Sequence, residues 1–380
     1  MKFLWGSATS AYQIEGNNTN ADWWEWDGGR SGRASFFWEK WEEVIELLHQ
    51  LKHNAFRMSI EWSRIFPSPD EVDREALDKY RRIIESLMER GIEPVITLHH
   101  FTNPIWFSRM GGWLRRENIT HFIRFVESVL PILKGVRFVI TINEPNVYAF
   151  RSYMEGYWLP QEKSMRKAFR VLSNMKEAHI RAYQLLKSGT AADVSIAQNM
   201  MVFEPAWKWS PIHWILTLIT DYMFNWYFPD RIRDHMDFLG INYYSRGFVR
   251  WLGSIQYRGD EKNCMGWEVH PQGLYRVIKR AYRRYRKPIM ITENGICTDN
   301  DFQRIKFLKE HVEQVMKARE EGIPVIGYLY WSLLDNYEWA EGFEPRFGLL
   351  EVDYDKEKYR IRKSALFYSE IIETDGLAAL

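Results

Sequence analysis

Short β-rich runs alternate along the whole chain with longer segments of helical periodicity. Parallel strands joined by crossover helices produce this alternation. The pattern therefore predicts an α/β fold with one closed (β/α)8 barrel of the TIM type, and a doubly wound open sheet is the structural alternative. The strand-like runs cover residues 3–8, 55–60, 94–98, 137–142, 194–198, 237–242, 288–292 and 325–330.

Apolar side chains share one helical face in the segments between these runs, as expected of helices that cover a barrel. No linker rich in Gly, Ser or Pro divides the chain, so we expect a single catalytic domain over residues 1–380. No G-x-G-x-x-G motif follows an early strand, which counts against the doubly wound sheet. The apolar faces comprise Trp38, Trp41, Ile45 and Leu48; Leu77, Tyr80, Ile84 and Leu87; and, within 165–187, Ala168, Leu172, Met175, His179 and Ala182.

Composition narrows the function classes. A net charge of +1 over 380 residues gives no field that would concentrate nucleic acid. Cys264 and Cys297 make neither a disulfide framework nor a C-x-x-C site, which favours a reducing compartment. The N-terminal apolar run is too short for a signal peptide, so we expect a cytoplasmic protein. The 18 tryptophans favour a carbohydrate ligand, because flat apolar faces with a polar edge complement sugar rings.

Polar residues are concentrated where the predicted strands end, which is where a (β/α)8 barrel holds its chemistry. Among them, Glu144 and Glu293 follow different strands and can face each other across the barrel mouth, as glycoside cleavage requires. Either glutamate alone could equally form a salt bridge or cap a helix. The full set comprises Gln13, Glu15, Arg57, His100, Asn143, Glu144, Asn199, Asn242, Tyr244, Glu293, Asn294, Trp331, Glu338 and Trp339.

Motifs along the whole chain resemble those of glycoside hydrolase family 1, in the family's order. They are FLWGSATSAYQIEG, NAFRMSIEWSRIFP, TLHHFTNPIWF, TINEPN, DFLGINYYSR, ITENG and YWSLLDNYEWAEGFEPRFGL. The segment ADWWEWD is similar to the archaeal branch of the family.

The resemblance implies a retaining, exo-acting β-glycosidase that releases a terminal unphosphorylated hexose by double displacement, with transglycosylation as a side reaction. Its two carboxyl groups would lie about 5 Å apart. Glu293 would be the nucleophile and Glu144 the acid/base, while Arg57 and Tyr244 would lower the pKa of Glu293. The implied sugar contacts are Gln13, His100, Asn143, Asn242, Glu338 and Trp339, with Trp331 as the stacking platform.

Two departures from the family pattern limit what the resemblance implies. Phe101 stands where the family usually has Trp, so the local packing and one polar contact differ. The chain is also short after Tyr157 and around 207–237, which predicts reduced loops on the leaving-group side. Neither the glycone nor the aglycone follows from the motifs.

Three alternatives compete with this interpretation. A catalytically silent sugar-binding protein on the same fold would lose one of the two carboxylates, and both are present. A metal-dependent barrel hydrolase would need an H-x-H cluster, whereas the adjacent His99 and His100 point in opposite directions on a strand, and we interpret His99 as a core residue. A phosphoglycosidase would not keep Glu338, which repels phosphate. We expect no metal or cofactor, and small β-glycosides or short oligosaccharides as partners; homo-oligomerisation stays open.

The segment 206–228 is more apolar and aromatic than a surface crossover needs. Trp and Tyr favour the boundary between water and lipid, so the segment is a candidate for contact with a membrane or an apolar partner. The alternative that we favour is packing beside the barrel, because Asn225, Trp226 and Phe228 echo an aromatic helix of the family.

Overall fold

The computed structural model describes residues 2–251 and 254–380. Eight parallel strands close into a barrel in the order β1, β11, β10, β7, β5, β4, β3, β2, which confirms the predicted fold and rules out an open sheet. Two small sheets, β6–β8–β9 and β12–β13, lie outside the barrel. The strands are β1 Leu4–Ala8, β2 Ala55–Ser59, β3 Glu93–Thr97, β4 Phe138–Asn143, β5 Asp193–Asn199, β6 Val202–Pro205, β7 Leu239–Asn242, β8 Arg246–Trp251, β9 Ser254–Gln256, β10 Ile289–Asn294, β11 Val325–Trp331, β12 Leu350–Asp353 and β13 Lys358–Ile361.

All eight predicted runs are barrel strands, but several strands continue further than their apolar pattern. Strand β4 includes Asn143, and β10 includes Glu293 and Asn294. These additional residues still pair with the neighbouring parallel strands. Asn143 pairs with Ala197 and Glu293 pairs with Asn242, in each case after a shift in register. Asn143, Glu293 and Asn294 are therefore held by the sheet itself.

The predicted cover helices are also confirmed. The periodic faces of α3, α5 and α9 pack on the barrel core, with Trp38, Trp41 and Leu77 half-buried at the edges. The helices are α1 Ala11–Ile14, α2 Asp22–Asp27, α3 Phe37–Gln50, α4 Trp62–Ile65, α5 Arg74–Glu89, α6 Ile105–Arg109, α7 Ile119–Val129, α8 Pro145–Ala149, α9 Met165–Gly189, α10 Pro211–Asp221, α11 Pro271–Tyr285, α12 Asp301–Glu320 and α13 Lys363–Glu373. Helices α8 and α10 each run into a π-helical turn, Phe150–Met154 and Tyr222–Trp226.

The preferred interpretation of 206–228 as a packed element is right for only its last part. Asn225, Trp226 and Phe228 are buried. In contrast, α10 and the turn before it expose many large apolar side chains to solvent. These are Trp207, Trp209, Ile212, Trp214, Ile215, Leu218, Ile219 and Tyr222.

One disulfide joins Cys264 to Cys297, with their Cα atoms 5.4 Å apart. The Cys264 N–H donates to the Cys297 carbonyl, so the loop after β9 meets the loop after β10 and brings the two thiols together. A separation of 33 residues hid this contact from the sequence. The pair removes our cysteine argument for a reducing compartment. Within 2–251 and 254–380, no helix is long and apolar enough to cross a bilayer.

Candidate active site

The carboxyl ends of the barrel strands bring the predicted residues together in one polar layer, which we call the floor of the site. Arg57 on β2 is fully buried at the centre of this floor and donates to three other barrel strands, β3, β4 and β10. Its guanidinium contacts Thr97 Oγ1 at 3.0 Å, Asn143 Oδ1 at 2.7 Å and Glu293 Oε1 at 2.6 Å. A buried cation needs such a set of acceptors, including one carboxylate, to offset its lost hydration.

Glu293 is held by both of its oxygens. Oε1 accepts from Arg57, and Oε2 accepts from the Tyr244 hydroxyl at 2.6 Å. Burial raises the pKa of Glu293, whereas Arg57 and Tyr244 lower it. Both neighbours therefore act in the expected direction on the pKa of Glu293, but the desolvation of a buried carboxylate outweighs them, so the net shift is upward.

Glu144 lies in a different electrostatic environment. Its Oε1 accepts amide protons from Asn199 at 2.9 Å and Asn242 at 2.7 Å, and no charge-bearing donor bonds it within 2–251 and 254–380. Burial, and then the neighbouring Glu293, raise the pKa of Glu144 to about 8. Asn242 also acts on Glu293, since its amide lowers the pKa of that carboxyl too. One amide therefore influences the pKa of both carboxyl groups, while its hydrogen bond goes to Glu144.

Glu144 has left-handed backbone dihedrals, with φ 44° and ψ 59°. A non-glycine residue in this region is strained and persists where the surrounding structure fixes it. The Glu144 N–H donates to the Ala197 carbonyl of β5, and Pro145 starts α8 directly after it. These constraints direct the carboxyl group into the barrel mouth.

Asn143 connects Arg57 to the predicted sugar-binding histidine. Its Oδ1 accepts from Arg57 and from Asn242, and its Nδ2 lies 3.1 Å from His100 Nε2. Burial and the nearby Arg57 hold the pKa of His100 well below its usual range, so the ring is neutral. The neutral His100 ring accepts from Asn143 at Nε2, so its Nδ1 carries the proton, and this Nδ1–H has no hydrogen-bond partner in the described part of the chain.

A second polar group lies beside this network. Gln13 Nε2 and Asn336 Nδ2 both donate to Glu338 Oε2, at 3.0 and 2.9 Å. Ser10 fixes Gln13 by donating to its Oε1. Burial raises the pKa of Glu338 to about 8. These side chains present a cluster of fixed donors and acceptors at one side of the floor.

Aromatic rings form the walls of the floor. The His100 ring is stacked between Trp331 and Trp339, with centroids 5.9 and 6.1 Å away. Phe101, at the position where the family usually has Trp, packs against Trp158 and Trp339. The tight packing shows that the pocket accommodates the smaller ring.

Of the remaining strand-end residues, some contact the carboxyl pair and others do not. Asn199, which was among the strand-end residues but not in the predicted site, donates to Glu144 directly; its position at the end of β5 was the signal. Glu15 instead pairs with Arg64 and Tyr80 away from the carboxyl pair. His99 is a buried core residue bonded to Asn103, as interpreted, and Asn294 bonds the backbone of Tyr243.

The floor opens into a cavity of about 460 Å³, large enough for a sugar and part of an aglycone. Glu144, Glu293, His100, Trp331, Glu338 and Trp339 line its inner end. Its outer wall is largely apolar and comes from α8, α9, the loop after β5 and the π-helical turn after α10. The apolar members include Phe150, Met154, Phe169, Met201, Met223 and Phe224. In the described part of the chain, no three His, Cys, Asp or Glu side chains cluster as metal ligands would.

Comparison with known proteins identifies the family. The model of Glycosyl hydrolase family 1 matches residues 1–229 and 229–377. Beta-glucosidase A from Thermotoga maritima is 33% identical over 99% of this chain and 98% of its own length. A beta-galactosidase from the archaeon Sulfolobus acidocaldarius is 31% identical over 99% and 95%.

A solved structure extends the likeness to three dimensions. A beta-glycosidase from Pyrococcus horikoshii superposes with a TM-score of 0.94 at 43% identity, covering 97% of this chain and 93% of that one. Matches of this extent cover the barrel and its strand ends together. The chain belongs to glycosyl hydrolase family 1 and is a glycoside hydrolase.

Proposed function

We propose that residues 1–380 act as one catalytic domain that releases a terminal β-linked hexose with retention of configuration. The observation that carries this proposal is the unequal environment of Glu144 and Glu293. A cation and a phenol bind Glu293, whereas Glu144 has only amide partners and a pKa of about 8. Two carboxyl groups with opposite protonation states are what double displacement needs.

In the first step, ionised Glu293 attacks the anomeric carbon. A bond forms between its carboxylate oxygen and that carbon, and the bond to the leaving oxygen breaks. Glu144 transfers its proton to the leaving oxygen, so the aglycone departs as a neutral alcohol. Although burial raises the pKa of Glu293, ionised Glu293 is the counter-charge that buried Arg57 requires.

In the second step, Glu144 works in reverse. Esterification removes the negative charge of Glu293, so the pKa of Glu144 falls and the group ionises. Glu144 then takes a proton from water while the water oxygen attacks the anomeric carbon, and Glu293 leaves as a carboxylate. Two inversions give net retention, and an alcohol in place of water gives transglycosylation.

Glycone recognition is assigned to the fixed polar groups of the floor. Gln13, Glu338 and Trp339 form one cluster of sugar contacts, His100 and Asn143 another, and Trp331 provides the stacking face. Asn143, placed between Arg57 and His100, is the proposed contact to the 2-hydroxyl, where a hydrogen bond strengthens in the transition state. Asn242 keeps both carboxyl groups oriented.

An unphosphorylated glycone is favoured, but for a different reason than repulsion by Glu338. A pKa of about 8 leaves much of Glu338 neutral at pH 7, which weakens repulsion of phosphate. In the described chain Glu338 bonds only amides, from Gln13 and Asn336, and no Lys or Arg. A phosphate dianion buried there would lack the cation that charge-assisted binding needs.

The test is a panel of aryl β-glycosides that differ in glycone configuration, with NMR of the first product. We expect the β-anomer of the released sugar to appear before mutarotation. Initial release of the α-anomer would refute double displacement. Binding without any hydrolysis across the panel would instead favour a silent sugar-binding protein.

A further inference from the structure

Helix α10 buries polar side chains and exposes apolar ones, which is the opposite of the usual arrangement in a helix on a water-exposed surface. Its buried positions are His213, Thr217 and Asp221, which follow each other at intervals of four residues. Its outward face carries Ile212, Ile215, Leu218 and Ile219, with exposed fractions of 63, 58, 66 and 44%. Exposing apolar side chains to water is unfavourable in free energy, and an exposed apolar patch of this kind marks an interaction surface.

The neighbouring helix α11 shows the ordinary arrangement. It buries Leu274, Val277 and Ile278 and turns arginines outward. Its Arg280 pairs with Asp221 of α10, so both helices belong to one packed assembly. The reversal is therefore specific to α10 and is not a property of this side of the barrel.

Aromatic residues surround the exposed face. Trp209 is 81% exposed, and Trp214, Tyr222 and Trp251 are also exposed. Trp and Tyr are the residues that concentrate at the boundary between water and lipid. We call this surface, formed by Trp209, Ile212, Trp214, Ile215, Leu218 and Trp251, the α10 face.

Charge around the α10 face is positive. Lys208 and Arg250 are exposed, and Arg258 is bonded to the backbone of Ala206 at the start of this segment. The acidic residues that flank the segment, Glu204 and Asp221, are bound by arginines, and exposed Asp260 lies two residues after Arg258. A cationic rim complements anionic lipid headgroups. A second copy docked on the same face would bring like charges together, which disfavours it as the occupant.

The α10 face continues into the mouth of the active-site cavity. Ile219 and Thr220 at the end of α10 line the cavity, and so do Met223 and Phe224 of the π-helical turn. The apolar outer wall of the cavity is thus joined to the exposed helix. An aglycone that leaves the cavity on this side enters the same apolar environment.

We propose that the α10 face docks on an anionic lipid surface and that the cavity takes β-glycosides with apolar aglycones from that surface. The substrate part of this proposal rests on the proposed function. Because no described helix is both long and apolar enough to span a bilayer, the proposed contact is interfacial, with the helix lying in the headgroup region.

The test combines vesicle flotation with two substrates. The probe is a vesicle of phosphatidylcholine and phosphatidylglycerol that carries dodecyl β-glucoside, and the soluble substrate is an aryl β-glucoside. The variant is the triple substitution Ile212→Ser, Ile215→Ser and Leu218→Ser. The control replaces exposed apolar residues on other helices, with Phe302→Ser and Leu366→Ser.

We expect wild-type protein and control to float with the vesicles, and the triple variant to stay below. Hydrolysis of the vesicle substrate should fall about tenfold or more in the triple variant, while kcat/KM for the soluble substrate stays within about twofold. Thermal melting checks that the variant is folded.

Three results would overturn the proposal. The first is wild-type protein that hydrolyses the aryl glucoside but never floats at low salt. The second is a triple variant that floats like wild type. The third is light scattering that finds a dimer broken by the triple variant without flotation, which would make a second copy the occupant. Loss of aryl hydrolysis in the wild type would instead refute the proposed function.

Discussion

The floor and the outer wall of the cavity are built in opposite ways. On the floor, polar groups form a network of mutual hydrogen bonds, as Arg57 shows with Thr97, Asn143 and Glu293. On the outer wall, side chains such as Met154 and Met223 offer shape without directional bonds. The floor therefore suits a ligand with fixed hydroxyls, and the wall suits an aglycone of variable shape.

The difference follows from where the residues come from. Arg57, Asn143 and Glu293 of the floor lie within barrel strands, whose positions the closed barrel fixes. Other floor residues, such as Gln13 and Trp339, lie on short helices beyond the strand ends. Wall residues lie on α8, α9 and the two π-helical turns, which are crossover elements outside the barrel. The carboxyl pair is thus placed on the barrel, and the proposed leaving-group contacts lie on the crossover elements.

The largest effect is expected from removing the nucleophile of the floor. Glu293→Gly should lower kcat by at least about a thousandfold, because the covalent intermediate cannot form. Added azide should restore part of the rate with an aryl β-glucoside and give an α-glycosyl azide, identified by NMR. Glu344→Gly, on an exposed loop, is the matched control. Near wild-type turnover without azide would exclude Glu293 as nucleophile.

The next effect depends on the leaving group. Glu144→Ala should slow alkyl β-glucosides by about 10² to 10⁴ and dinitrophenyl β-glucoside much less in the first step, because only the alkoxide needs a proton. Pre-steady-state release of the aglycone measures that step. Equal losses on both substrates would mean that Glu144 is structural.

The pH profile separates the two carboxyl groups. The first step needs Glu144 protonated, so kcat/KM should fall as pH rises through about 8, the pKa that burial and Glu293 give Glu144. On the acidic side, kcat/KM should fall when Glu293 takes up a proton. In Glu144→Gln the basic limb should vanish for dinitrophenyl β-glucoside. A basic limb that persists in this variant would have to come from another group.

The smallest effect concerns the outer wall. Met223→Ser should lower the ratio of kcat/KM for octyl over methyl β-glucoside about tenfold, because it removes apolar contact with the longer aglycone only. Steady-state kinetics on both substrates measures the ratio. Phe302→Ser, far along the chain on α12, provides the control. An unchanged ratio would show that the aglycone does not lie along this wall.

The sequence predicted the floor better than the wall, for a physical reason. Strand ends such as Asn143 and Glu293 have a fixed relation to the apolar run before them, so their convergence follows from the barrel. The balance of competing effects on one group cannot be predicted this way. The sequence indicated that Arg57 and Tyr244 lower the pKa of Glu293, but not that burial would outweigh them.

Two features outside the floor could not be predicted from the sequence, because they depend on packing between segments that are distant in the chain. The Cys264–Cys297 contact arises where two loops meet, and neither loop has a periodic pattern that reveals the approach. For α10, hydropathy identified an unusual segment but not which face would be covered. Only the structure shows polar His213 and Thr217 inside and apolar Ile215 and Leu218 outside.

The most direct test of the central claim is to trap the covalent intermediate. A 2-deoxy-2-fluoro-β-glucosyl fluoride should inactivate the enzyme, because the fluorine destabilises the transition state of both steps while the fluoride leaving group permits the first. Peptide mass spectrometry should then locate one sugar ester on Glu293 within ITENG, and the Glu293→Gly variant should remain unlabelled. Labelling of Glu144, or of any other residue in the wild-type enzyme, would contradict the account.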